Sequence, residues 1–143
     1  MATNAPIAAM QAALAAEHAA VYGYGVTGAM LTGSARSVAY TDWRAHEIAR
    51  DTLAAMIVKL GVTPVAASPA YKLPFTVTGA SSARRLAAVL EEGVTRAYLG
   101  LVAVNDPTLR TFGAHAMQAP ATRAAAWRGS TVAFPGMPAT TGP

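Results

Sequence analysis

Cysteine is absent from this 143-residue chain. That excludes disulfides, thiolate metal sites and a cysteine nucleophile. Charge is scarce: Asp, Glu, Lys and Arg make up 13% of the residues, against about 25% in ordinary globular chains. Together with 53% hydrophobic residues, this excludes intrinsic disorder, because apolar surface is ample and self-repulsion is weak. Only three histidines are present, too few for a His-rich metal cage. Long apolar runs are also missing. The longest stretch free of Asp, Glu, Lys and Arg, His18 to Ala35, is broken by glycines and tyrosines, so no membrane partner or span is expected. MATNAPIAAMQAALAAEH has no basic segment ahead of its apolar residues, which predicts no secretory leader and a cytoplasmic protein.

Eleven Lys and Arg against seven Asp and Glu give a net charge of +4. Only Arg84 and Arg85 are adjacent, and no Gly-rich phosphate loop, zinc finger or RNP motif is present. A solvated basic surface is expected, with no nucleic-acid partner.

The chain reads as one all-α domain over 1–143. The first helix is expected from about Ala5 to Leu31, with Asn4 as cap, Pro6 in its first turn and Gly33 as its stop. Met10, Ala13, Leu14, Val21, Tyr24, Gly28 and Leu31 fall on one face. The second is expected from about Ala35 to Leu60, stopped by Gly61, with Ala45, Ala49, Leu53, Met56, Ile57 and Leu60 inward. The third runs from a Ser81-Ser82 cap to about Val104, with Ala83, Ala87, Leu90, Val94, Tyr98 and Leu101 inward. The fourth opens at Asp106-Pro107 and is kinked or broken at Pro120, with a further turn over Ala121 to Arg128. Short links make the first and second, and the third and fourth, antiparallel neighbours. Residues 61–80, with Pro64, Pro69 and Pro74, read as an extended crossover anchored by Tyr71, Leu73 and Phe75. The Pro/Gly-rich tail, 129–143, is expected to pack through Val132, Phe134 and Met137.

Several polar residues fall on apolar stripes. At ~100° per residue, Glu17 lies at the centre of the first helix's stripe. Asp42 and His46 lie near the centre of the second's, and Glu91 lies inward on the third. Glu47, Asp51 and Glu92 point outward, and His115 sits at the edge of the fourth helix's stripe. A buried ionised carboxylate must be paired, protonated or bound to metal, since left alone it costs several kcal/mol. Three readings stay open: a metal site of carboxylate and imidazole, a ligand-free network of Glu–His and Glu–Tyr hydrogen bonds, or solvated faces for one or two of these acids. A pocket lined by Tyr24, Tyr98 and the acids is a further option. Asp42–His46 is either an i,i+4 pair or a support for a metal-bound imidazole. No Ser-His-Asp arrangement with a nucleophile elbow is present.

An internal repeat links these residues. Tyr24 follows Glu17 by seven positions, as Tyr98 follows Glu91. Each of these helices is followed by one with an inward histidine, His46 and His115. Helix pair, crossover, helix pair with Glu-x6-Tyr resembles the ferritin-like superfamily. EHAAVYGYG, PVAASPAYKLPF and AFPGMP resemble an actinobacterial ferritin-like domain family of unknown function, over nearly the whole chain. The resemblance implies metal ligation by Glu17, His46, Glu91 and His115, with Tyr24, Tyr98 and Asp42 in support. The bridging acids of a di-iron site are replaced by Trp43 and Phe112, so a full di-iron centre is not expected; one Fe or Mn ion, or none, is. The layering of residues puts Glu91 with His46 and Glu17 with His115, two levels ~8 Å apart at 1.5 Å per residue. The expected function is a small cytoplasmic ferritin-like binding or assembly module with a degenerate di-iron site. The alternative is an iron- or manganese-binding oxidoreductase or metal-handling protein. With so few charges to cover the outer faces, a homodimer is expected.

Overall fold

The structure, a computed structural model, describes residues 4–138. Five helices account for the regular structure: α1 (Ala5–Ala29), α2 (Gly33–Lys59), α3 (Ala80–Val102), α4 (Pro107–Ala116) and α5 (Gln118–Arg128). No strand occurs among the described residues, and none of these helices is long and apolar enough to cross a membrane. α1 packs on both α2 and α3, and α3 packs on α4 and α5. The architecture is therefore a helical bundle whose last member is broken in two.

The helix ends follow local chemistry. Pro6 sits in the first turn of α1, where its missing N–H has no intrahelical partner to lose. Asn4, expected to cap that helix, makes no side-chain cap bond. Gly33 opens α2 instead of closing α1, at φ +57°. Gly61 follows the end of α2 at φ +73°, the left-handed region that side chains with a Cβ disfavour. Asp106 accepts a hydrogen bond from the Leu109 N–H at 3.0 Å and caps α4. Pro120 has no N–H to offer the Ala116 carbonyl, and the chain breaks there, between α4 and α5. α5 is a full helix of 11 residues rather than the single turn expected.

The connection over 60–79 lies against α1. The Gln11 side chain donates to the Thr63 carbonyl and accepts from the Val65 N–H, both at 2.7 Å. His18 Nε2 donates to the Val65 carbonyl at 3.0 Å, and Tyr22 packs on Tyr71 at 5.5 Å between ring centroids. From Tyr71 to Val77, half-buried and exposed residues alternate, as an extended segment requires. Tyr22, outward on α1, thus meets this connection.

Apolar residues cover both ends of the bundle. Met10, Leu14, Leu53, Ile57, Val94 and Leu101 form the larger cluster, and Tyr24, Leu31, Ala39, Ala83 and Ala87 the smaller. Gly23 and Gly113 permit close helix contact: a Cβ on Gly23 would lie 2.4 Å from Leu90 Cδ1, and one on Gly113 would lie 2.7 Å from Leu101 Cβ and 2.9 Å from the Tyr98 carbonyl. Gly25 and Gly28, on the same helix as Gly23, face open space.

Candidate functional site

Between the two apolar clusters, α1, α2 and α3 each turn charged side chains inward. Glu17, His46 and Glu91 are all but inaccessible, at 1%, 0% and 0% exposure, and Asp42 is buried beside them. His46 joins the two glutamates. Its Nδ1 lies 2.6 Å from Glu17 Oε2 and its Nε2 lies 3.0 Å from Glu91 Oε1. Both acids therefore lie within reach of one imidazole, not on the two levels expected from counting residues along the helices.

The tyrosines cross over. Tyr24 of α1 donates to Glu91 of α3, and Tyr98 of α3 donates to Glu17 of α1, each at 2.6 Å. The seven-residue repeat marks this exchange, although each tyrosine serves the other helix's acid and not its own.

α5 adds two groups that the sequence does not assign to the polar site, Trp127 reading there as a packing anchor. Arg123 Nε donates to Glu91 Oε1 at 2.8 Å, and Trp127 Nε1 donates to Asp42 Oδ2 at 2.8 Å. They stand four apart on one helix, so both reach the same side. That i,i+4 spacing was the available signal. Asp42 also receives the Tyr24 hydroxyl at 3.4 Å; its bonds go to these two rings, and no hydrogen bond joins it to His46. His115, expected to be an inward ligand, is exposed. α4 is short, and α5 supplies the inward cation in its place.

The electrostatics follow from burial and pairing. Burial alone would push the His46 imidazole down; the hydrogen bonds and charges of Glu17 and Glu91 outweigh it and hold the ring up at about 9. At neutral pH His46 is thus an imidazolium that donates from both nitrogens to acceptor-only carboxylates. Burial likewise works to raise Glu91, but His46 and Arg123 beside it hold its carboxyl below the usual range. Burial raises Asp42 and, more strongly, the Tyr24 and Tyr98 hydroxyls, which remain donors. The two glutamates are balanced by one imidazolium and one guanidinium, which is what makes their burial tolerable.

That balance bears on metal binding. Both nitrogens of His46 are engaged by carboxylates, and Arg123 holds Glu91 Oε1. Among the described residues, no group of three or more His, Asp or Glu is disposed to hold a metal ion. Trp43 and Phe112, the positions that the ferritin-like resemblance gives to bridging carboxylates, carry no carboxylate or imidazole. The residues do not fit such a centre. Against this, Glu91 Oε2 is buried without a hydrogen-bond partner.

Beside the network, a cleft of about 290 Å³ opens between α2 and α4–α5. Ala45 and Ala49 wall it on one side, Ala116 and Ala119 on the other, and Glu17, Tyr98 and Arg123 also line it.

The fold and site define an all-α bundle with a closed acid–imidazole–tyrosine network at its centre. Residues 9–139 match the family described as a domain of unknown function, DUF4439, and the chain belongs to that family. Its structure is similar to the crystal structure of a conserved hypothetical protein, Rv2844, from Mycobacterium tuberculosis, at 31% sequence identity and a TM-score of 0.84. The match covers 90% of this chain and 98% of that one. No curated protein matches.

Proposed function

We propose that this protein is a ferritin-like bundle given over to binding and assembly in the cytoplasm, with the di-iron chemistry of that superfamily lost. One observation carries the reading: His46 is gripped at both nitrogens by Glu17 and Glu91, with Arg123 on the second acid. Protein cations stand where metal charge would be needed. Metal analysis of protein purified without chelator, followed by calorimetric titration with Mn²⁺ and Fe²⁺, tests it. Less than stoichiometric metal and no saturable heat are expected; retained metal that Glu91→Gln abolishes would overturn it.

The assembly side of the reading rests on α2. Tyr40, Ile48 and Val58 stand exposed along one face, about 100° per residue placing them together. The charges among them pair locally, Arg44 with Glu47 and Arg50 with Asp51. Such a face, apolar and internally neutral, suits a two-fold contact with its own copy. Light scattering should give a dimer, and Ile48→Glu a monomer. A mass near 14.6 kDa for the unaltered protein at high concentration would end the dimer reading.

The second reading is a metal-binding oxidoreductase or metal-handling protein. The buried, unpartnered Glu91 Oε2 favours it, because an ion drawn to that oxygen would satisfy it. The same metal analysis decides between the two.

A further inference from the structure

Burying acids has a consequence for the outside of the molecule. Glu17, Asp42 and Glu91 lie in the core, so of the seven acids and eleven cations of the chain, four acids remain against ten cations once Arg123 is counted with the core. The surface is more basic than the net charge of +4 indicates. The excess is not uniform. Arg84, Arg85 and Arg96 are exposed along one side of α3, and Arg128 of α5 joins them there. The acid on this side, Glu92, is engaged by Arg128.

Exposed apolar side chains border these arginines. Val132, Phe134 and Met137 were expected to pack, yet they are 48%, 72% and 57% exposed. They do not dangle. Gly136, at φ +81°, is pressed so close to α3 that a Cβ would lie 3.2 Å from the Arg96 N, and the Arg96 Nε donates to its carbonyl at 3.3 Å. The Arg128 Nε donates to the Ser130 carbonyl at 3.2 Å. The loop is tied down at both ends and offers its apolar tips outward. Two shallow depressions, of about 370 and 450 Å³, make the surface continuous: the first is lined by Arg84, Arg85 and Arg128, the second by Arg96 and Phe134, and Glu92 lines both.

We propose that this surface docks on an anionic lipid bilayer, with the arginines on the headgroups and Phe134 and Met137 entering the headgroup–acyl boundary. Charge complementarity selects the partner: basic side chains beside projecting apolar ones are what an anionic interface takes up. A second copy of the same surface is disfavoured, because like charges would meet. Nucleic acid is disfavoured, because Trp127 and Phe75 lie half-buried beneath Arg84 and Arg85, which leaves Phe134 as the exposed ring and no interleaved stacking platform. The self-neutral α2 face plays no part, so dimerisation and docking are separable.

Co-sedimentation of the full chain with vesicles tests this, using phosphatidylcholine alone and phosphatidylcholine mixed equally with phosphatidylglycerol. The protein should partition onto the mixed vesicles and not onto the neutral ones. Each lost arginine contact is worth about fivefold at an anionic surface, so Arg84→Glu with Arg85→Glu should lower partitioning by roughly 25-fold or more. Phe134→Ser with Met137→Ser, which removes no core packing, should lower it while leaving the arginines and the circular dichroism spectrum unchanged. Equal binding to both vesicle types, no binding to either, or full binding by the serine variant would overturn the proposal. So would a shift of a single-stranded oligonucleotide in the absence of vesicle binding.

Discussion

Tyr24 and Glu91 sit 67 positions apart in the chain and 2.6 Å apart in the fold. Their hydrogen bond, with its counterpart between Tyr98 and Glu17, ties α1 to α3 across the axis of the bundle, and His46 closes the ring from α2. Two buried carboxylates are thereby held by two phenols and one imidazolium.

Removing the shared cation should be costly. His46→Ala leaves both carboxylates without their common partner, and breaking a buried pair this way costs about 3–5 kcal/mol. Tyr98→Phe removes one neutral donor and should cost about 1–3 kcal/mol. Urea unfolding of the two variants checks the order; a His46→Ala loss no larger than that of Tyr98→Phe would refute the imidazolium as the keystone.

The pH dependence has a defined sign. His46 is raised from 6.5 to about 9 in the folded state, so its contribution is complete below 6.5 and fades as pH climbs through about 9. Glu91 is lowered from 4.5, so its contribution is complete above 4.5 and fades as acid protonates it in the fold. Stability should peak between these limits and fall by a few kcal/mol toward pH 10. Thermal melts from pH 4 to 10 read this out, and a flat alkaline side would count against a charged His46.

Arg123 and Arg44 both pair with glutamates, but their settings differ. Arg123 meets a fully buried acid, whereas Arg44 meets Glu47 with its own side chain 53% exposed. Arg123→Met should cost about 3–5 kcal/mol and Arg44→Ala about 1 kcal/mol or less. Chemical denaturation resolves a difference of that size.

Adding a methyl group to the close helix contacts should also discriminate. Gly23→Ala meets the flexible end of Leu90, which can turn aside, at about 1–3 kcal/mol. Gly113→Ala meets backbone at Tyr98 and the Cβ of Leu101, which cannot turn, and should be the more damaging of the two. Equal melting temperatures would show that α4 shifts freely on α3.

Much of this was legible in the sequence. Four periodic segments, Asp106-Pro107 and Gly61 set the helices. The apolar stripes alone marked Glu17, Asp42, His46 and Glu91 as inward, because each falls among residues that must face a core. What stayed hidden depends on how helices align with one another. Periodicity puts Glu17 and Tyr24 on one face but does not say whose acid a tyrosine meets. Counting from helix ends separated two levels that packing brings together. His115 was misplaced because it lay at the edge of its stripe on a helix cut short beyond Ala116. The places of Arg123 and Trp127 at the site stayed hidden because their segment, rich in alanine, has no apolar stripe strong enough to show which side is inside.

The exchange of hydroxyls between α1 and α3 makes the molecule's halves interdependent. Glu17 needs a phenol from beyond the long connection, and Glu91 needs both a phenol and an imidazole from before it. A fragment ending within that connection would bury an acid short of its donors, and so would the complementary fragment. Neither half can act as a self-sufficient folding unit, and the bundle should assemble in one cooperative step despite its repeated plan.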